Sequence, residues 1–296
     1  MTQRAQEQLG RPLLDPAGLD LESADRVTYV MRQRLRYDYD GSAYDLAHRL
    51  VVVPRQRHGN QRRLHHSLTV SAAAADVTTR RDRHGNLVTQ VRLGVVPETV
   101  EFSLQALIER RGASTGATLP LSALSELRLL RPTKLTTPDA ALQQVARELR
   151  AAAPDDLDFA EVCCAHVNGA IAYEYGPTSV STTAAQAYAG GRGVCQDHAH
   201  VMLAICRAAG VPARYVSGHL LGEGGSHAWV EVVVRDGDRA TGVAFDPCNG
   251  RRAGAGYITV ATGRDYAHVA PTSGYYAGDA TGRLTVTKSI GVIAAA

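Results

Sequence analysis

Cys195 heads the run Cys195-Gln196-Asp197-His198-Ala199-His200, which continues into an apolar stretch, residues 201–209, and stops at Gly210-Val211-Pro212. Downstream stand Ser226-His227-Ala228-Trp229-Val230-Glu231-Val232 and Val243-Ala244-Phe245-Asp246-Pro247. A cysteine at a helix start, a histidine on a strand and an aspartate on the next strand are the groups that thiol-based acyl transfer needs. An ordinary thiol titrates near ~8.5, and a helix N-terminus, with its partial positive charge and free N–H groups, favours the thiolate. His227 can take the thiol proton, and Asp246 can accept from the other ring nitrogen and fix the tautomer. Gly193 suits a tight turn where the backbone must approach the reacting carbonyl. The N–H of Cys195 is the natural first donor to a tetrahedral oxyanion, with Gln196 a candidate for the second.

These segments, together with Gly193-Val194 before the cysteine and Pro212-Ala213-Arg214-Tyr215-Val216-Ser217-Gly218, resemble the bacterial transglutaminase-like superfamily. That family has a papain-like core and is commonly described as candidate cysteine proteases. The resemblance covers roughly residues 130–285, and the region before it is similar to the β-rich N-terminal domain that accompanies such cores. It implies an α+β protein, an N-terminal antiparallel β-sandwich followed by helices packed on an antiparallel sheet. It also implies a triad of Cys195, His227 and Asp246, and no cofactor. The chain departs from the family pattern at His198, where an aromatic is usual, and at His219, where a tyrosine is common. Cys248 replaces the usual threonine after Asp246-Pro247, and the strand before Asp246 lacks the expected tryptophan. No triad position is lost, so the departures bear on the pocket walls and the substrate.

Each residue also has a plainer reading. Cysteine is often a buried core residue, histidine a hydrogen-bonded strand residue, and Asp-Pro a turn former; the order of the motifs favours chemistry for all three. Cys195, Asp197, His198 and His200 suggest metal ligands, but no second matched pair accompanies them and ligands crowded at one helix start converge poorly. Asp197 better complements the helix N-terminus and should be turned away from the sulfur. Tyr215 and Trp229 are pocket candidates, with Trp229 expected to pack beneath the imidazole.

The chain has 296 residues and a net charge of +3, enough for two domains and too little charge to imply a polyanionic partner by itself. No run of 18 apolar residues points to a membrane span, and the first residues lack a signal-peptide core, so a cytoplasmic protein is expected. The five cysteines show no framework spacing, which suits a reducing compartment. Arg32, Arg34 and Arg36 alternate along one strand face, and Arg55, Arg57, Arg62 and Arg63 surround a turn. These read as solvated edges, with a basic surface for an acidic peptide as the alternative; nothing suggests nucleic-acid binding.

Residues 1–24 read as a loose polar lead-in, 25–130 as the β-rich domain and 131–296 as the catalytic core. Strand patterns cover 27–37, 65–71, 87–93 and 100–107, with a turn signal at Arg83-His84-Gly85-Asn86. The stretch 112–120 and the region to Pro132 read as a linker. In the core, helices are expected from Pro138 to Arg150, from Leu157 to Tyr173, and after a capping box at Thr183 and Gln186. Strands follow at 213–221, 227–234 and 243–246, with 285–293 as a last addition.

The expected function is cleavage of a peptide or carboxamide bond through a thioester on Cys195. The same intermediate serves a transglutaminase or amide ligase that passes the acyl group to an amine. A non-catalytic protein-binding module is the reading from another class. The partners implied are a peptide or protein amide substrate and, for the second reading, an amine acceptor.

Overall fold

The computed structural model describes residues 3–112 and 116–296, with side chains from residue 6 onward. It is an α+β protein in which an antiparallel β-sandwich packs against a core of helices on an antiparallel sheet. The sandwich follows from alternation. In the strand Arg26–Tyr39, Val27, Tyr29, Met31 and Leu35 turn inward while Arg34 and Arg36 face solvent. Its partner Thr99–Arg111 buries Val100, Phe102, Leu104 and Ile108 against the same interior. The second sheet contains Ala43–Leu50, Leu87–Val96 and Asp76–Arg81, the last two joined through the expected turn at Asp82–Asn86.

In the core, strands Arg251–Arg252, Arg239–Asp246, His227–Asp236, Ala213–Leu220 and Tyr257–Gly263 lie side by side in that order. The helix Cys195–Ala208 crosses this sheet with residues 196–207 all buried. Helices Ala140–Ala152, Asp156–Ala170 and Ala184–Gly190 cover its other side. A helix enclosed on every side must satisfy its polar groups internally. Arg207 does so by donating to the carbonyls of Leu129, Ala213 and Arg264 and to Thr136 Oγ1.

Several boundaries differ from the sequence reading. Pro138 precedes its helix, whose cap is Asp139 accepting from Leu142 N. The Asp156–Ala170 helix ends before Tyr173, which lies in a two-residue strand beside Gly193. Thr183 and Gln186 form the capping box expected of them. The lead-in contains a helix, Gln3–Leu9, anchored by Leu9 among Val30, Leu107 and Ile293. Of the expected linker, residues 113–115 lie outside the described residues, and Ala117–Leu119 pairs with the core strand Arg239–Asp246. Arg55 and Arg63 are not solvated turn residues: Arg63 donates to Pro54 O and Gln56 Oε1, and Arg55 to Thr262 Oγ1 of the core.

The largest difference lies at the C-terminal end, where a core running to residue 296 was expected. Thr272–Ala277 joins one sandwich sheet beside Ala43–Leu50, and Gly282–Ala295 joins the other beside Arg26–Tyr39. The physical reason is edge protection. Both N-terminal strands would otherwise present unpaired N–H and C=O groups; Val292 fills a gap in the sandwich interior, and Ile293 packs in the separate cluster with Leu9, Val30 and Leu107. Ending the chain after residue 271 should therefore unfold the sandwich as well as remove two strands, since the two buried side chains alone contribute about 1.5–3 kcal/mol each. Limited proteolysis should then cut within residues 26–111. A truncated protein with the parent's resistance and a single cooperative melt would contradict this pairing.

Candidate active site

Cys195 is the first residue of its helix and is partly exposed. Val194 is the N-cap, in extended backbone, and cannot cap with its own side chain. Asp197 does the work from inside: its Oδ2 accepts from Val194 N at 2.8 Å and from Thr178 Oγ1 at 2.6 Å. The carboxylate thus faces the cap, and it fixes where the backbone of Cys195 lies. This contact also accounts for Gly193. A Cβ there would sit 2.6 Å from Asp197 Oδ2, so close approach of a carboxylate, rather than a special turn, excludes a side chain. The first amides to be paired in this helix are those of Asp197 and His198, both to Val194 O. The amides of Cys195 and Gln196 precede them and point out of the helix start.

His227 begins its strand, and Asp246 ends the next one. The Nε2–H of His227 donates to Asp246 Oδ2 at 2.7 Å. The same oxygen accepts from Tyr257 Oη at 2.7 Å and Asn249 Nδ2 at 2.7 Å, while Oδ1 accepts from the amides of Cys248 and Asn249. Burial opposes the charge on this carboxylate, but the donors, His227 foremost, hold its pKa below the usual range. Burial likewise opposes protonation of His227. Its hydrogen bonds with Asp246 and with Cys195 outweigh that and push the imidazole up to about 10.

With Nε2 committed to Asp246, Nδ1 is the nitrogen left to serve the sulfur. Glu223 Oε2 lies 3.2 Å from that Nδ1, on a glycine-bounded turn four residues earlier. His219, behind this turn, accepts from Lys288 Nζ at 2.9 Å. Lys288 arrives on the final strand, from the sandwich side, and burial lowers its ammonium to about 8 against the opposing pull of Glu223 and Cys195.

The remaining candidates take defined places. Trp229 faces away from the long helix, in a small cluster with Val216, Leu220 and Tyr257. Its ring stacks on His227 with centroids 6.2 Å apart, and Tyr257 meets it edge-on at 5.4 Å. Gly218 is glycine for the same packing, because a Cβ there would fall 2.5 Å from the Trp229 ring and 2.1 Å from Ile258 O. Tyr215 is buried under the helix, its ring 5.3 Å from His200, and burial and then nearby Cys195 raise its phenol pKa. Gln196 is buried in the first helical turn. The ring nitrogens of His198 lie 2.9 and 3.0 Å from Val194 O and Ile171 O, and His200 Nε2 accepts from Tyr266 N. Both rings therefore tie the helix to its neighbours. Among the described residues no three His, Cys, Asp or Glu side chains are grouped as metal ligands.

Sequence reasoning missed Asn249, Tyr257, Glu223, Lys288 and Thr178. Asn249 had one available signal, its position just after Asp246-Pro247 in a turn. The others come from distant segments, and no local spacing marks them.

Residues 143–247 match the transglutaminase-like superfamily, and residues 29–109 match the bacterial transglutaminase-like N-terminal region. The chain belongs to the transglutaminase-like superfamily. Uncharacterized proteins of Mycobacterium tuberculosis and Mycobacterium bovis are each 27% identical to it over 287 residues, spanning 87% of this chain and 90% of theirs. One from Mycobacterium leprae is 38% identical over 128 residues, 40% of this chain and 44% of that protein. A solved structure from Cytophaga hutchinsonii, described as a candidate cysteine protease, superposes with a TM-score of 0.72 at 20% identity, covering 92% of both chains. That likeness is one of fold. Among the described residues no helix is long and apolar enough to cross a membrane.

The charge state of His227 is directly measurable. Its ring should titrate near pH 10 by NMR, and Asp246→Asn should move that midpoint downward, because the substitution removes the leading stabiliser of the imidazolium. The sign for stability follows. The folded pKa lies above the unfolded value near ~6.5, so the contribution is complete below about 6.5 and fades as pH rises through about 10. A ring titrating near 6.5 in the parent protein would contradict the geometry.

Proposed function

We propose that the protein is a cysteine-nucleophile acyl-transfer enzyme that cleaves a peptide or carboxamide bond through a thioester on Cys195. The observation that carries this reading is the orientation of His227, whose Nε2 is held by a buried carboxylate while its other face meets the thiol. The thiolate of Cys195 attacks the carbonyl carbon, and the carbonyl oxygen takes the negative charge. The amides of Cys195 and Gln196 are placed to receive it, because neither is used by the helix. His227, protonated, gives its proton to the departing amine as the C–N bond breaks. The thioester is then opened by water, with His227 accepting the water proton, and free acid and thiol are restored.

An amine in place of water would make the enzyme a transglutaminase or amide ligase by the same steps. Glu223, half-exposed beside Nδ1, favours keeping this second reading, since a carboxylate there can hold an incoming ammonium. Support for the class comes from the family membership and from the likeness to a described candidate cysteine protease. A reducing, cytoplasmic setting would keep all five thiols free.

Cys195→Ala should abolish turnover of any amide substrate. Asp246→Asn should lower kcat by on the order of 10⁴-fold through loss of the correct tautomer. Mass spectrometry of an acyl-enzyme offered water and then a primary amine separates the two reactions: free acid alone supports hydrolysis, an amine-bearing product supports transfer. A Cys195→Ala protein with full turnover would end the proposal.

A further inference from the structure

Away from the cleft, two adjoining cavities of about 270 and 530 Å³ share a wall made by Arg83 and His84. Arg83, Arg128, Arg214 and Arg264 line the first, and Arg49, Arg80 and Arg81 join Arg83 around the second. Arg214 sits at the opposite end of its strand from Gly218, which pairs with His227, about 13 Å along the strand. This groove is therefore separate from the proposed chemistry at Cys195.

Neutralising charge is sparse. Of the arginines that line the groove, only Arg128, to Glu126, and Arg214, to Glu231, have carboxylate partners among the described residues. Asp82, which also lines the groove, is turned inward and accepts from His84 N, Asn86 N and Asn86 Nδ2. Arg49, Arg81, Arg83 and Arg264 are held by uncharged groups, Arg81 by Gly85 O. Arg264 donates to the carbonyls of Arg131 and Pro132, Arg49 to His268 O, and Arg83 to His268 Nε2. These bonds fix the forks in place and leave their charge unmatched. The crowding registers on His84: burial, offset in part by Asp82, lowers its imidazole to about 4, and His268, Arg83 and Arg128 push the same way. In a chain with a net charge of only +3, this groove thus gathers seven arginines with few carboxylates among its lining.

We propose that this groove binds a small polyphosphate anion carrying at least two phosphate groups. Guanidinium forks match phosphate oxygens bidentately, and the cavities have the dimensions of a small-molecule site. Two adjoining basic cavities suit two linked anionic groups better than one. The walls come from the sandwich turn at residues 82–86, from the segment around Arg128, and from the core at Arg214 and Arg264. A bound anion would therefore bridge sandwich and core, and binding should raise the melting temperature of the whole chain.

The test is thermal unfolding of the full-length protein with inorganic tripolyphosphate, against sodium chloride at matched ionic strength. At a ligand concentration about 100 times Kd the melting point should rise by about 5 °C. Calorimetric titration should show at least tenfold weaker binding by the double variant Arg80→Glu/Arg81→Glu. Both side chains are exposed and without ion pairs, so the variant should melt as the parent does without ligand. Three results would overturn the assignment: a shift no larger than chloride gives, equal binding by parent and variant, or binding of poly-glutamate as tight as that of tripolyphosphate.

Discussion

The arrangement of the cleft depends on one buried carboxylate. Asp246 is fully enclosed and accepts hydrogen bonds from a ring, a phenol, an amide side chain and two backbone amides. Burying an ionised carboxylate is costly unless it is hydrogen-bonded, and here every donor also serves as a restraint. Three donors come from the turn just after Asp246, so the strand end cannot shift without losing them. Tyr257 comes from the strand at the sheet's far edge, so the carboxylate links both flanks of the core. The imidazole of His227 is thereby fixed by its partner on one side and by the Trp229 ring on its face.

The second constraint is the helix that begins at Cys195. Because residues 196–207 are buried, the helix cannot slide along the sheet, and its start is located by that packing together with the hydrogen bonds of His198, His200 and Arg207. Asp197 then fixes the last detail, holding Val194 N and Thr178 so that the amides of Cys195 and Gln196 stay free. The sandwich contributes to the same region. Glu231, two residues beyond Trp229, bonds both Arg214 of the core and His58 of the sandwich. That carboxylate is buried, yet Arg214 and His58 lower its pKa to about 2. Lys288, on a strand shared with the sandwich, meets His219 behind the Glu223 turn. The sandwich is thus packed directly behind the candidate site.

Much of this was legible in the sequence because it depends on local patterns. Gly-Val-Cys-Gln-Asp before an apolar run gives a helix start, Ser-His-Ala-Trp gives a buried strand, and Phe-Asp-Pro gives a strand ending in a turn. The β-rich character of residues 25–112 followed from alternation at period two. What escaped was non-local. Thr285 to Ile293 could be seen as a strand, but its partner, Arg26–Tyr39, lies some 250 residues earlier and nothing in either strand names the other. Tyr257, Glu223 and Lys288 reach the cleft through turns and sheet pairing, which local spacing does not encode. Arg55 and Arg63 looked like surface charges because their carbonyl and hydroxyl partners carry no sequence signature.

The central claim is that His227 makes one thiol of five chemically distinct. Cys163, Cys164 and Cys206 are buried, and burial, followed by the nearby Cys195, pushes the Cys248 thiol up to about 12. Brief treatment of the native protein with iodoacetamide at neutral pH, followed by peptide mass mapping, tests this directly. The account predicts one adduct, on Cys195, and loss of that selectivity in His227→Ala. Label spread evenly over the cysteines, or settling on Cys248, would contradict it.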